Sequence, residues 1–423
     1  MEWLGQAKIE FTTAPESLTL QDTDGKATSL LEVCRETVPP CNLNPLLFNG
    51  HLQTAWTVTK AHGPPVHYKR RMFESDNAML KGTFAVDFVT EPSTDSDESL
   101  PPRTTYFSKS ELAGMSSDDS RPMLVVLHGL TGGSHEVYLR HAIAPLVDSS
   151  KWEICIVNSR GCAKSKITSG LFYNGRATWD IRQTVKWLRA TYPNRPLFGL
   201  GFSLGANILT NYVGEEGANC QFKAAVVVSS PWNLDVSNKV LRSTWIGHEI
   251  YLKTLGTSLR TLVNNNREEI EKFCNVSLAE LDNVKYLYEF DRAYQCPTWG
   301  YPTEEAYYRD ASSVESLLAV RIPLLAINAQ DDPIACNMAL PYAEAAKTPY
   351  AVLCTTSMGG HIGWFEAGGG RWHAKPVCNF LNHMAFKIDH SSIDSQTNGK
   401  VTYSTPMSTG EFSPLRRKLH MDI

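Results

Sequence analysis

The stretch PLFGLGFSLGANILTNYV, residues 196–213, changes character in its middle. The first half is an apolar run of strand length that ends at Phe202, and the second, LGANILTNYV, has the composition of a buried helix. Between them Gly201, Ser203 and Gly205 form a G-x-S-x-G turn. An abrupt strand-to-helix turn leaves little room for side chains, and glycines two before and two after the serine let the backbone pass closely. Such a turn lifts the Ser203 hydroxyl above the carboxyl end of its strand, the arrangement of a nucleophile elbow.

Comparable apolar runs lie on either side: MLVVL (123–127), EICIV (153–157), AAVVV (224–228), PLLAIN (323–328) and AVLCT (351–355). Helical candidates fall at 136–147, 177–191, 204–214, 337–346 and 372–386. Continuous apolar runs separated by helices predict buried parallel strands in an α/β sheet with helices on both faces. Two further strands are expected around a turn at Ser75-Asp76-Asn77. The alternation lapses between 233 and 317, a helical, aromatic-rich stretch predicted to be a cap inserted over the strand ends. The expected organisation is an N-terminal extension (1–41), a core in two parts (42–232 and 318–389) around that cap, and a flexible tail (390–423). Residues 91–122, rich in Ser, Asp and Pro, are expected to be a polar surface insertion in the first part.

Composition sets limits on function. Of 423 residues, 42% are hydrophobic and 20% charged, which excludes wholesale disorder. Forty basic residues against 44 acidic ones give a net charge of −4, so the strong basic footprint of a nucleic-acid binder is missing. No run approaches the apolar length of a membrane span. MEWLGQAKIEF at the N-terminus lacks the pattern of a secretory signal. The ten cysteines form no CxxC pair, and without a signal they read as reduced thiols.

Three more motifs join the serine. The loop His128-Gly129-Leu130-Thr131-Gly132-Gly133 follows the first parallel strand, where a backbone N–H can serve an oxyanion hole. The expected donors are the N–H groups of Leu130 and of Leu204, the residue after the serine. Gln330-Asp331-Asp332-Pro333 follows a late strand, and Met358-Gly359-Gly360-His361 follows the last one. A serine hydroxyl is a poor nucleophile until an imidazole takes its proton, and a carboxylate orients that imidazole. The chain order Ser203, Asp332, His361 is that of the α/β-hydrolases. Asp332 is favoured over Asp331 as the acid.

The segments NGHLQTAW (49–56), HGLTGGSHEVYL (128–139), NSRGCAKS (158–165), GFSLGANIL (201–209), INAQDDP (327–333) and GGHIGWFE (359–366) together resemble the YheT-like, or AB-hydrolase-4, branch of the α/β-hydrolases. Within it the chain looks most like the fungal medium-chain fatty acid ethyl ester synthase/esterases. The resemblance implies a serine esterase or acyltransferase with Ser203, Asp332 and His361 as its catalytic triad. The implied substrate is a medium-chain acyl ester or acyl-CoA, with water or an alcohol as acceptor, and no metal or organic cofactor is implied. Acyl or polyketide transfer, a thioesterase in fungal secondary metabolism, and a monoacylglycerol lipase stand as alternatives. The expected location is intracellular, cytoplasmic or peripheral on lipid droplets or membranes. His51 in NGHLQTAW has no derivable triad role, and Arg160 reads as a loop brace rather than a catalytic group.

Overall fold

The computed structural model describes residues 5–59, 62–274, 276–391 and 393. Among them, ten strands form one sheet: β1 (Ile9–Thr12), β2 (His67–Glu74), β3 (Thr83–Thr90), β4 (Thr104–Tyr106), β5 (Met123–Leu127), β6 (Glu153–Asn158), β7 (Leu197–Phe202), β8 (Phe222–Val228), β9 (Leu324–Ala329) and β10 (Ala351–Thr356). Their order across the sheet is β1-β10-β9-β8-β7-β5-β6-β3-β2-β4. The six apolar runs are the six central strands, all parallel. Every residue of β5, β7, β9 and β10 is buried, as strands covered on both faces require. Antiparallel strands flank this block, β3 against β6 and β1 against β10.

The helices that matter for the site are α1 (Gly50–Thr59), α2 (Val137–Asp148), α3 (Trp179–Thr191), α4 (Leu204–Glu216), α5 (Leu234–Ser243), α6 (Lys253–Asn265), α7 (Glu304–Ala311) and α8 (Ala374–Phe386). α2 and α8 pack together, with the Cys378 thiol 3.1 Å from the Ala142 carbonyl. α4 is buried along nearly its whole length, and Asn207 and Asn211 both donate to the Ala311 carbonyl at the end of α7, at 2.8 and 2.9 Å. Two short π-helical turns, Gly247–Leu252 and Asp291–Gln295, interrupt the helical run between β8 and β9.

Several local details differ from the pattern of the sequence. The helix expected over 337–346 is only a 3₁₀ turn (Asn337–Ala339) and one α-turn (Tyr342–Ala345), because Pro341 between them has no N–H to continue a helix. The first forty residues supply β1 at the sheet edge, and the polar stretch 91–122 supplies β4 at the opposite edge, with Leu100 and Thr104 buried. All but three residues (390, 391 and 393) of the tail expected from 390 onward lie outside the described residues. All ten cysteines are unpaired. Among the described residues no helix is long and apolar enough to cross a membrane.

A buried charge pair ties the flanking strands to the parallel block. Arg70 on β2 donates through Nε and Nη2 to both oxygens of Asp87 on β3, at 2.7 and 2.8 Å, and neither side chain is exposed. Asp87 also accepts from Ser134 Oγ at 2.6 Å and Asn158 Nδ2 at 2.9 Å, so it fixes the loop after β5 and the end of β6. Replacing Asp87 with Ala strands the Arg70 charge in the core. Urea denaturation of Asp87→Ala is expected to show a loss of about 3–5 kcal/mol, the usual result of removing one partner of a buried pair.

Candidate active site

Ser203 joins β7 to α4 with φ +50° and ψ −120°, a backbone state that L-residues rarely adopt. Its neighbours make that turn sterically strict. A Cβ on Gly205 would lie 2.4 Å from the His128 carbonyl oxygen, and one on Gly201 would lie 2.7 Å from Ala206 Cα. The Ser203 amide is held by the Val228 carbonyl at 2.9 Å.

The three side chains singled out from the motifs meet. Ser203 Oγ lies 2.8 Å from His361 Nε2, and His361 Nδ1 lies 2.8 Å from Asp332 Oδ2. With a neutral ring, Nδ1–H donates to the carboxylate and Nε2 accepts the serine proton. Asp332 is completely buried and its Oδ1 accepts from the Ile334 and Ala335 amides, both at 2.8 Å. Asp331 turns elsewhere: its Oδ1 accepts from the Gly360 amide at 2.9 Å, and its Oδ2 is buried with no partner among the described residues. Burial, with the Asp332 charge adding to it, pushes the Asp331 carboxyl up to about 6.

The loop after β5 brings Leu130 to the cavity that Ser203 lines. The Gly129 amide donates to Tyr138 Oη at 2.8 Å and the Thr131 amide to Tyr173 Oη at 2.9 Å. Between them, the Leu130 N–H has no hydrogen-bond partner among the described residues, and Leu130 lines the same cavity as Ser203 and His361. Leu204 begins α4, where the first amides of a helix have no intrahelical acceptor. His128 stays out of the chemistry. It is buried between the Gly129 carbonyl (2.7 Å from Nδ1) and the Ser159 amide (3.0 Å from Nε2), and burial pushes its pKa down to about 4.

The motif NGHLQTAW, without an assigned role in the sequence, turns out to hold the His361 loop. Thr54 Oγ1 accepts from the His361 amide at 2.8 Å, and Gln53 Oε1 accepts from the Phe365 amide at 2.8 Å. Gly50 lies so close to Asp331 that a Cβ would stand 1.8 Å from its carbonyl oxygen. Ser229 Oγ takes the Ile362 amide at 3.0 Å, and the buried Arg371 donates to the Ile362 carbonyl. Gln53 and Thr54 are the side chains this helix buries, and no sequence signal separates them from His51, Thr57 and Thr59 on the same helix. His51 bonds Tyr251 Oη at 2.8 Å rather than Ser203, Asp332 or His361. Arg160 braces loops, binding Asp180 through Nε and Nη2 at 3.0 and 2.8 Å and the Lys81 carbonyl through Nη1 at 2.8 Å.

A cavity opens beside Ser203. Leu241, Leu252, Leu255, Leu259 and Leu287, all from the helical segment between β8 and β9, form much of its wall. Such an arrangement can attack a carbonyl carbon whose apolar substituent lies along the leucines.

The two adjacent aspartates are separable by experiment. Asp332→Asn favours the wrong His361 tautomer and is expected to lower kcat by about 10⁴-fold. Asp331→Asn keeps the acceptor for Gly360 and is expected to leave turnover within a few-fold. The raised Asp331 pKa means the folded chain keeps a proton that the unfolded chain has released, so this group lowers stability as pH rises from the usual carboxylate range to about 6. Thermal midpoints of Asp331→Asn above that pH should therefore equal or exceed the parent's.

Comparison with known proteins agrees with this fold. The alpha/beta hydrolase fold family matches residues 122–367, more than half of the chain. A Saccharomyces cerevisiae monoacylglycerol lipase is 38% identical over 368 residues, covering 82% of this chain and 80% of that protein. Medium-chain fatty acid ethyl ester synthase/esterase 2 of the same yeast is 30% identical over 383 residues, covering 80% and 84%. Human phospholipase ABHD3 is 30% identical over 305 residues, covering 72% and 68%. With its parallel sheet, its elbow and these relatives, the chain belongs to the α/β-hydrolase family.

Proposed function

We propose that the protein is a serine esterase that cleaves medium-chain acyl esters through an acyl-enzyme on Ser203. The observation that carries this reading is the unbroken line Ser203 Oγ–His361 Nε2 and His361 Nδ1–Asp332 Oδ2, each link 2.8 Å, at the wall of a leucine-lined cavity. Ser203 Oγ attacks the ester carbonyl while His361 takes its proton. The carbonyl oxygen, now an anion, is held by the N–H groups of Leu130 and Leu204, each such donor contributing about 3–4 kcal/mol to the transition state. Collapse expels the alcohol, which receives the proton from His361, and leaves the acyl group on Ser203. Asp332 keeps the ring in its tautomer and stabilises it while charged.

Water activated by His361 then frees the acid, or an alcohol takes the acyl group. The helical segment 233–317 acts in this reading as a cap that limits water at the acyl-enzyme. A monoacylglycerol is the second substrate to consider, supported by the 38% identical yeast lipase. Peripheral association with a lipid surface is part of the same reading. Leu46, Phe48, Val58, Trp245 and Met338 are each more than 60% exposed, and the His51–Tyr251 hydrogen bond joins two of their segments beside the His361 loop.

Ser203→Ala is expected to lose about 10⁴–10⁶-fold in kcat on a medium-chain ester with its thermal midpoint preserved. A folded variant keeping several per cent of the activity would sink the mechanism. Ethanol added to an octanoyl donor should divert product from octanoic acid to ethyl octanoate. The partition ratio should be the same for p-nitrophenyl and CoA donors, since both pass through one Ser203 ester. A ratio that changes with the donor would remove the shared intermediate.

A further inference from the structure

The cavity beside Ser203 is not apolar all round. Leu287, Asp291 and Gln295 line it at successive four-residue steps of one helical run, and two of the three are polar. Leu234, Asn238 and Leu241 line it from α5, with the polar Ser237 beside the polar Asn238. Asn238, Asp291 and Gln295 are each only 4% exposed. A wall that met nothing but hydrocarbon would be more stable with leucine at these positions, because a buried polar group without a partner is destabilising.

The hydrogen bonding of these three is incomplete. Gln295 Nε2 donates to the Tyr173 carbonyl at 3.0 Å, but Gln295 Oε1 has no donor among the described residues. Asn238 Oδ1 has none either. Asp291 Oδ2 accepts from Tyr308 Oη at 2.6 Å. Burial pushes the Asp291 carboxyl up to about 7, so near neutral pH it offers a proton as well as lone pairs. The set therefore supplies two acceptors that lack donors and one group able to do both. Asp291 and Gln295 sit on a π-helical turn, a local irregularity found frequently at functional sites.

We infer that Asn238, Asp291 and Gln295 form a hydroxyl-binding subsite, so that the preferred ester carries free aliphatic hydroxyls in addition to its acyl chain. The inference rests on the esterase reading of the same cavity. The hydroxyls can belong to the alcohol half, as in a monoacylglycerol, or to the acyl chain, as in a hydroxy-fatty acyl ester. The two O–H groups of a monoacylglycerol donate to Asn238 Oδ1 and Gln295 Oε1, a single chain hydroxyl donates to one of these oxygens, and in either case a hydroxyl lone pair accepts from Asp291.

The test measures kcat/KM of the full chain on 1-monooctanoylglycerol, ethyl 8-hydroxyoctanoate and ethyl octanoate. The parent is expected to favour one of the hydroxylated esters over ethyl octanoate by at least about tenfold, because a site built to bond a hydroxyl discriminates against an analogue that lacks it. Asn238→Leu and Gln295→Leu should each lower that ratio by at least about tenfold, while Asp291→Asn, which still donates and accepts, should keep most of it. The ester whose ratio falls tells which half carries the hydroxyls. A parent that hydrolyses ethyl octanoate but shows no preference, or leucine variants with an unchanged ratio, would overturn the subsite and leave the esterase standing. A parent that turns over none of the three would remove the esterase reading and the subsite together.

Discussion

No side chain fits between the first turn of α4 and the end of β5. A Cβ at position 205 would stand 2.4 Å from the His128 oxygen and 2.6 Å from the Leu127 oxygen. This contact brings the loop carrying Leu130 against the helix that starts at Leu204, so two amides from different elements can point at one volume. It also accounts for the left-handed backbone of Ser203, because no relaxed turn could seat the helix so close to the strand. The strain persists because its surroundings hold it: the strand on one side is entirely buried, and α4 is enclosed on nearly every face.

A second layer of constraint surrounds His361. The residues after it, Ile362 and Trp364, also have positive φ, at +53° and +47°. Such a loop is not self-supporting, and its amides are taken by side chains from three other parts of the chain: Thr54 and Gln53 from α1, Ser229 after β8, and Asp331 from the neighbouring loop. The imidazole is thus aimed by backbone hydrogen bonds rather than by contacts of its own ring alone. Preorganisation of this kind removes most of the reorientation that a flexible side chain would need before meeting its partner.

The six-stranded parallel block was legible because its strands are almost continuous apolar runs, as in MLVVL and AVLCT, the pattern of strands buried on both faces. Ser203, Asp332 and His361 were legible because each sits directly after such a strand, in an order that carries meaning. What escaped was built by contacts remote in sequence. Residues 9–12 lie in an N-terminal extension of mixed character, and only pairing with β10 makes them a strand. Gln53 and Thr54 look like helix-interior polar residues until the loop they bind, more than 300 positions later, is in place. The polar members of the leucine cavity were hidden for the same reason, since Asn238 and Gln295 come from separate helices and share a wall only in the fold.

The clamp of α1 on the His361 loop also bears on the order in which the protein becomes competent during its synthesis. Thr54 leaves the ribosome long before His361, and Gly50 must wait for Asp331 before it has anything to pack against. Contacts of such separation are slow to form, because a long loop has to close before they repay its lost freedom. A nascent chain can complete the elbow at Ser203 once β7, α4 and the flanking strands are out. The His361 imidazole remains unaimed until β10 and its following loop emerge and meet α1. The topology therefore sets an order of assembly, in which Ser203 meets the His361 imidazole only after the segments that follow β10 have joined α1.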